Sequence, residues 1–375
     1  MKFTIIIDRV GTDTGGTEGQ IIKLIHGLGA SHNVELIVFQ PTPWLEAAGA
    51  TLPCRVTSIP LGGITKPRFY LGLFKLWRHL RQQRPDTVHT FFPVANVVGV
   101  LMARLAGVRQ VLSSRRDYGY WITPGYLKAT RFANRFVDGI VTNAPQVRKF
   151  TIETEGVPPE RVMVIYNGVD IDALQRPHPD WALKAQLGIP AHHKVIALVA
   201  NYRPIKRHDT LIKAAHILMQ HHPNISLLCV GVNNSPDSYW QDMLTLAREC
   251  GLADRIHCSE AVGNIADYLS IIDIGVNCSD SEGLSNAVIE YMAAHIPSIV
   301  SDGGGNPDLV TNGINGLIYP VGDAQILAQH LRYLLDNPEI AKTYAETAFQ
   351  RVHAEMRLEA MLTRFESTYS AKNTR

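Results

Sequence analysis

Short apolar runs rich in Val, Ile and Phe recur along the whole chain. Between most of them lies a longer stretch whose apolar positions repeat every three or four residues. The first pattern predicts strands and the second amphipathic helices. In the first half the strands fall at Phe3–Asp8, Val34–Phe39, Arg55–Ile59, Thr87–Phe91, Gln110–Ser113, Gly139–Thr142 and Val162–Tyr166. Helices are predicted at Gly16–Leu28, Arg68–Gln82, Ala95–Ala106, Pro124–Phe136 and Pro145–Thr154. The second half predicts strands at Val195–Ala200, Ser226–Val230, Arg255–Cys258, Gly275–Asn277, Ser298–Ser301 and Gly316–Tyr319. Its helices are His208–Gln220, Ser238–Cys250, Ile265–Ile271, Ser285–Ala294 and Asp323–Leu335, with more helix over about 338–369. This alternation describes parallel sheets covered by helices on both faces. The fold class is therefore α/β, with two Rossmann-like doubly wound domains and a cleft between them.

Turn-forming residues crowd the stretch after Tyr166, including Asn-Gly-Val-Asp, Arg-Pro-His-Pro-Asp and Gly-Ile-Pro. The joint is placed there: residues 1–168 form the first domain, 169–190 a linker and 191–350 the second domain. Residues 351–375 are expected to be a C-terminal helix packing back on the first domain. At 375 residues the chain exceeds one ordinary core, which agrees with two domains. Open α/β sheets bind ligands outside the carboxyl ends of their strands, so the loops after the strands are the places to search.

The net charge of +2 hides an imbalance. Residues 1–175 carry 20 Lys/Arg against 13 Asp/Glu, whereas residues 176–375 carry 16 against 21. A basic first half suggests an anionic partner such as a membrane surface. The basic residues concentrate in Lys66–Arg84, where Arg68, Lys75, Arg78, Arg81 and Arg84 interleave with Phe69, Tyr70, Leu73, Phe74, Leu76, Trp77 and Leu80. Such a helix either lies on an anionic membrane or covers the sheet with its apolar face. No recognition motif for nucleic acid accompanies the charge. The longest apolar run, Val94–Leu105, is too short to span a bilayer, and Met1-Lys2 leads directly into a strand without a signal-peptide pattern. The expected location is cytoplasmic, peripheral on the inner face of the cell membrane. Five cysteines without metal-ligand spacing suit mostly buried thiols, and the pairs His192-His193 and His221-His222 are expected on the surface.

Four segments carry candidate chemistry. Asp13-Thr14-Gly15-Gly16-Thr17-Glu18 follows the first strand and opens a helix, so backbone amides can approach a ligand there; the alternative is a tight turn. It lacks the spacing of a dinucleotide fingerprint and the lysine of a P-loop. Ala200-Asn201-Tyr202-Arg203-Pro204-Ile205-Lys206-Arg207 puts three cations at a strand end. Arg203 as a fork and Lys206 as a point charge form a phosphate clamp, unless they are plain surface charge. In Ser279–Ala293, Glu282 lies in a loop before Gly283-Leu284-Ser285, and Glu290 lies about two turns into the next helix. A carboxylate beside an anion-binding helix start suits a ligand that is part sugar and part phosphate; capping and solvated carboxylates are the alternative. Finally, Gly303-Gly304-Gly305 follows a strand and again reads as a place of close backbone approach.

Together these residues resemble a family-four retaining glycosyltransferase of the GT-B architecture, the group 1 glycosyl transferases. The match is carried by Gly15-Gly16-x-Glu18, Tyr166-Asn167-Gly168-Val169-Asp170, Arg203-x-x-Lys206, Glu282-Gly283 through Glu290-x-Met292-Ala293, Pro297, Gly303-Gly304 and Asn312-Gly-x-Asn-Gly316. The resemblance implies a nucleotide diphosphate sugar donor, UDP-linked by base rate, and a glycan or lipid-linked acceptor in cell-envelope synthesis. It implies no cofactor and no metal. Gly15 and Gly16 would meet the donor phosphate, and Lys206 with Arg203 would neutralise the leaving diphosphate. Glu290 would hold the ribose hydroxyls and Glu282 those of the transferred sugar. Asn201, Gly283, Leu284 and Ser285 would complete the donor site. A nucleotide-sugar 2-epimerase of the same fold and a non-catalytic sugar-nucleotide binder are the alternatives.

The chain departs from the family pattern in three places. Ala200-Asn201 stands where an arginine is common after glycine, so Arg203 is the candidate substitute. Arg115-Arg116-Asp117 stands where many members carry a histidine, which makes Arg116 and the neighbouring His89, at the end of the preceding strand, candidate acceptor or sugar contacts; for His89 packing is the equal alternative. Asp308 stands where a glutamate is frequent.

Overall fold

A computed structural model describes residues 1–12, 16–119, 122–233, 238–260 and 264–370. Two compact units emerge: Met1–Gly168 together with Leu358–Arg375, and Val169–Arg357.

The first unit is built on strands β1 (Lys2–Arg9), β2 (Asn33–Gln40), β3 (Arg55–Ser58), β4 (Thr87–Phe91), β5 (Gln110–Arg115), β6 (Gly139–Thr142) and β7 (Val162–Val164). They pair in parallel in the order β3-β2-β1-β4-β5-β6-β7. The alternation of side chains along a strand explains why the sheet needs cover on both faces. Ile5 and Ile7 join one core with Ile21, Leu24 and Ile25 of helix Gly16–Gly29. Ile6 points the other way, into a core with Leu76, Leu80, Val100 and Ala103.

The chain's last described helix, Leu358–Ser370, belongs to this first unit. Met361, Phe365 and Tyr369 repeat every four residues, are all buried and enter the same core as Phe3 and Ile5. Close approach fixes the helix there, because a Cβ on Gly27 would lie 2.4 Å from Leu362. At the centre of this contact His89 of β4 is 1% exposed. Its Nδ1 pairs with the Tyr369 hydroxyl at 2.8 Å and its Nε2 with Ser114 Oγ at 2.9 Å.

The second unit contains β8 (Lys194–Val199), β9 (Ile225–Val230), β10 (Ile256–Ser259), β11 (Ile274–Asn277), β12 (Ser298–Ser301) and β13 (Leu317–Tyr319). Again all pairs are parallel, in the order β10-β9-β8-β11-β12-β13. One core combines Ile196 and Leu198 of β8 with Leu211, Ala215 and Leu218 of helix His208–Met219 and Leu327 and Leu331 of helix Ala324–Asp336.

Several local details differ from the sequence expectations. The helix predicted over 95–106 opens with a π-helical turn, Ala95–Gly99, before continuing as Val100–Leu105. Two short helices, Ile171–Leu174 and Trp181–Gln186, occupy the stretch predicted as turns. Asp170 and Asp180 cap them through Ala173 N (3.1 Å) and Leu183 N (2.9 Å). One turn of helix is too short to show a period. Helix Pro43–Ala48 was not foreseen for the same reason. His193 is 5% exposed rather than on the surface, held by Ser226 Oγ at 2.9 Å and by the Arg255 guanidinium. Only Cys229 and Cys278 are buried, and Cys258 is exposed because β10 is an edge strand.

Burial, and then the Arg116 charge, push the His89 imidazole down to about 3 from an ordinary 6.5. The folded state therefore holds His89 neutral while the unfolded chain takes up a proton below pH 6.5. Its contribution is complete above that pH and declines steadily as the pH falls towards 3. Between pH 7 and pH 5 this costs about 2 kcal/mol of stability. His89→Gln keeps both hydrogen-bonding ends without the basic ring, so its urea midpoint should fall less over that pH interval. An equally steep fall in the variant would refute this assignment.

Candidate functional site

The second sheet reverses direction at β8. The chain runs outward from β8 through β9 to β10, then returns to the other side of β8 with β11. Loops leaving β8 and β11 therefore diverge at their carboxyl ends and leave room between them, the usual place for a ligand in such sheets. Lys206 stands on the first of these loops and Glu282 on the second, and the Lys206 ammonium binds Glu282 Oε1 directly. Their side chains are 22% and 14% exposed, so the pair is largely but not wholly shielded from water.

Each loop is pinned before it reaches this point. Tyr202 stacks on Trp240 with ring centroids 4.1 Å apart, and its hydroxyl donates to Cys229 O at 3.0 Å. Gly231 lets β9's exit pass beneath this loop, since a Cβ there would lie 2.0 Å from Ala200 O. On the other side, Asn277 Nδ2 donates to Ser285 Oγ at 3.0 Å and its Oδ1 accepts from Ser279 N at 3.0 Å. Asn306 Nδ2 also donates to Asn277 Oδ1, at 3.1 Å. Asp280 N donates to Ile205 O at 2.9 Å, joining the two loops through backbone.

Three donors converge on Glu282 Oε1: Lys206, Ser279 Oγ at 2.8 Å and, at the limit of bonding distance, Asn277 Nδ2 at 3.5 Å. Burial works against the carboxylate's charge. The nearby Lys206 charge and these hydrogen bonds outweigh it and hold the carboxyl below its usual range. The site thus keeps Glu282 as a carboxylate beside the Lys206 side chain, an acceptor for hydroxyls next to a donor for an anion.

The other predicted residues divide by what their atoms already do. Arg203 is exposed, with no side-chain hydrogen bond or ion pair among the described residues. Arg207 is different: it donates to Asp209 at 3.0 Å and to Asp280 at 3.1 Å, so its charge is committed to the loop. Asn201 Oδ1 accepts from Val232 N at 3.2 Å. Ser285 caps helix Asn286–Ala293, its Oγ accepting from Val288 N at 3.4 Å. Gly283 and Leu284 are buried just before that cap. Glu290 is half-buried on the same helix. The neighbouring Tyr291 anchors that helix to the sheet, because its hydroxyl accepts from Val199 N at 2.8 Å.

The glycine run corrects one expectation. Gly303, Gly304 and Gly305 do allow close approach, but what approaches is the protein's own Ser279–Gly283 loop. A Cβ on Gly304 would lie 2.3 Å from Glu282 O, and Gly305 N donates to that same oxygen at 2.8 Å. The glycines thus position Glu282.

In the first unit, Gly15 lies outside the described residues. Gly16 begins helix Gly16–Gly29, and a Cβ there would meet nothing within 4 Å, so no packing within the chain demands a glycine. Asp8, missed in the sequence as a site residue, is the penultimate residue of β1 and accepts from Val94 N at 3.0 Å and Ala95 N at 2.7 Å. Burial raises its carboxyl to about 6 despite those bonds. His89 is a second correction: with both ring nitrogens bonded inside the core, it serves packing and offers no atom to a ligand. Arg116 is half-buried at the end of β5, its Nη2 donating to Asn167 Oδ1 at 2.6 Å. Asn277, Ser279 and Asn306 were also missed. Isolated polar residues beside strand ends carry no pattern, and only their convergence in space reveals them.

Among the described residues, no group of three or more His, Cys, Asp or Glu side chains is arranged to hold a metal ion. Residues 14–173 match the sequence profile of Glycosyltransferase Family 4, and residues 179–351 match that of Glycosyl transferases group 1. The D-inositol 3-phosphate glycosyltransferase of Thermobispora bispora is 26% identical over 369 residues, covering 89% of this chain and 85% of that protein. The structure of HepE from Anabaena in complex with UDP-glucose superposes with a TM-score of 0.86 at 21% identity, covering 99% of this chain and 100% of that one. Sucrose-phosphate synthase from Thermosynechococcus elongatus gives 0.83 at 21% identity, with both chains fully covered. Two parallel α/β units, a charged site at the sheet's reversal and matches to both family profiles agree: the chain belongs to glycosyltransferase family four and is a glycosyltransferase of the GT-B fold.

Proposed function

We propose that the protein transfers a sugar, with its anomeric configuration retained, from a UDP-sugar to a lipid-linked, oligosaccharide or polysaccharide acceptor of the cell envelope. The observation that carries the donor assignment is the Lys206–Glu282 pair at the β8–β11 divergence, with the exposed Arg203 beside it. An ammonium and a guanidinium there would stabilise the charge that develops on a departing diphosphate. Glu282 would take sugar hydroxyls, and Glu290 the ribose hydroxyls. In this reading the donor's C1–O bond breaks with its electron pair leaving on the diphosphate. An acceptor hydroxyl adds to the same face of C1, and its proton passes to the leaving phosphate oxygen. The two cations do the work assigned to a divalent ion in other transferases, so EDTA should leave the rate unchanged. The choice of uridine is supported by HepE, which has been solved with UDP and with UDP-glucose.

A lipid-linked acceptor is supported by helix Pro67–Gln83. It buries Gly72, Leu76 and Leu80 but leaves Tyr70, Leu71 and Phe74 between 53% and 62% exposed. Lys66, Arg68, Lys75, Arg78 and Arg81 are exposed on or beside the same helix, and no Asp or Glu occurs between Glu46 and Asp86. Apolar and cationic side chains presented together suit the boundary of an anionic bilayer. No helix among the described residues is long and apolar enough to cross a membrane.

Lys206→Ala and Glu290→Ala should each lower turnover of a UDP-sugar by about 100-fold or more. The unfolding midpoint should stay near wild type for Glu290→Ala and fall for Lys206→Ala, which strips the shielded Glu282 carboxylate of its counter-charge. Near-wild-type turnover in either variant would remove that residue from the site. Replacing Arg78, Arg81 and Arg84 together by Gln should weaken sedimentation with phosphatidylglycerol vesicles by about two orders of magnitude, at about 1 kcal/mol per cation. Unchanged sedimentation would return the helix to a purely structural role.

A further inference from the structure

Arg115 and Arg116 are consecutive, yet their charges are treated in opposite ways. Arg115 is buried and fully answered. Its Nε and Nη2 meet the two Glu155 oxygens at 2.6 and 2.9 Å, and Asn134 Oδ1, Ser113 Oγ and Ser114 O take its remaining bonds. Arg116 has no ion pair among the described residues. Its one hydrogen bond goes to a neutral amide, Asn167 Oδ1, and its Nε is buried without any acceptor. The electrostatic neighbours that register on it are the Tyr369 phenol and His89, neither of them a carboxylate.

A shielded guanidinium without a counter-ion is unstable relative to one in water. Burial pulls the Arg116 guanidinium down to about 10, which reports that cost. A second unanswered polar atom lies on the adjoining loop: Asn143 Oδ1 is buried without a partner, while its Nδ2 donates to Arg116 O at 3.4 Å. Both residues follow the carboxyl ends of neighbouring strands, β5 and β6, at the end of the sheet where ligands bind. Arg115 shows what this environment supplies when an arginine serves the fold: a bidentate carboxylate. For Arg116 the described residues supply none, and the planar fork is the group best matched to a carboxylate or phosphate.

We propose that Arg116 is the centre of an oxyanion subsite in the first unit, which takes a carboxylate or phosphate group belonging to a substrate. The proposal relies on the transferase reading only for the origin of that group. Either the donor's diphosphate brings it, or it is carried by the acceptor or the transferred sugar. Anion binding itself can be measured without turnover.

The test compares the wild-type chain with Arg116→Met and Arg116→Lys. Because the native charge is uncompensated, Arg116→Met should melt at a higher temperature than wild type in the absence of ligand; a structural arginine would give the reverse. Titration with inorganic phosphate should raise the wild-type melting temperature. Arg116→Met should bind phosphate about tenfold or more weakly, and Arg116→Lys should recover part of the loss. UDP then identifies the source. If Arg116→Met weakens UDP by the same factor, the group is the donor's diphosphate; if UDP is unaffected while phosphate is lost, the group belongs to the acceptor or the sugar. Equal phosphate and UDP binding in wild type and Arg116→Met would overturn the proposal, as would a lower ligand-free melting temperature of Arg116→Met. If phosphate binding depends on Arg116 but no UDP-sugar is turned over by the wild type, the subsite stands and the proposed UDP-sugar donor falls.

Discussion

Every strand pair in both units is parallel, and this constraint governs where chemistry can occur. A parallel sheet sends each strand's exit to the same end, so the loops that follow β8, β11 and β12 have to meet there. Meeting brings opposite charges together without any long-range design. Lys206 leaves β8, Glu282 leaves β11, and the glycine run after β12 folds around the backbone of Glu282. The electrostatics of the site thus follow from topology. Only two details are specific to the loops: a lysine seven residues beyond the strand end, closing the short 3₁₀ turn Pro204–Lys206, and a carboxylate held by three donors on one oxygen.

The same loops separate charges that maintain the structure from charges that are available. Arg207, Arg115 and Asp209 are bound by partners within their own unit, and their roles end there. Arg203 is exposed, Lys206 is shared with a carboxylate, and Arg116 has no carboxylate partner among the described residues. The gradation is physical: each arginine or lysine lies at a strand end, and what differs is whether the chain supplies a counter-ion. Adjacent residues can fall at opposite ends of that scale, as Arg115 and Arg116 do.

Much of the fold was legible in the sequence because burial on both faces leaves continuous apolar runs, which mark β1, β4 and β12 nearly to the residue. Lys206 and Glu282, which the structure brings together, are also singled out in the sequence, because each stands on a loop after an apolar strand run. Contacts formed across the chain were not legible. His89 read as a ligand contact because nothing near residue 89 announces Tyr369, which closes over it from 280 positions away. The glycines at 303–305 correctly read as a point of close approach, but the approaching partner was another loop. Asn277 and Asn306 had no signal, because an asparagine's value lies in what its amide reaches. Capped single turns such as Ile171–Leu174 escape any reading based on period.

Helix Leu358–Ser370 has a consequence for how the molecule is made. Its buried Met361, Phe365 and Tyr369 belong to the core that begins with Phe3 and Ile5. During synthesis the first seven strands leave the ribosome long before that helix, and the whole second unit is produced in between. The second unit, Val169–Arg357, is continuous in sequence and can close as soon as it emerges. The first unit keeps an open apolar face until helix Leu358–Ser370 arrives. The unit whose strands are translated first is therefore completed after the second, and a truncation that removes Leu358–Ser370 would open the core that begins at Phe3 and Ile5.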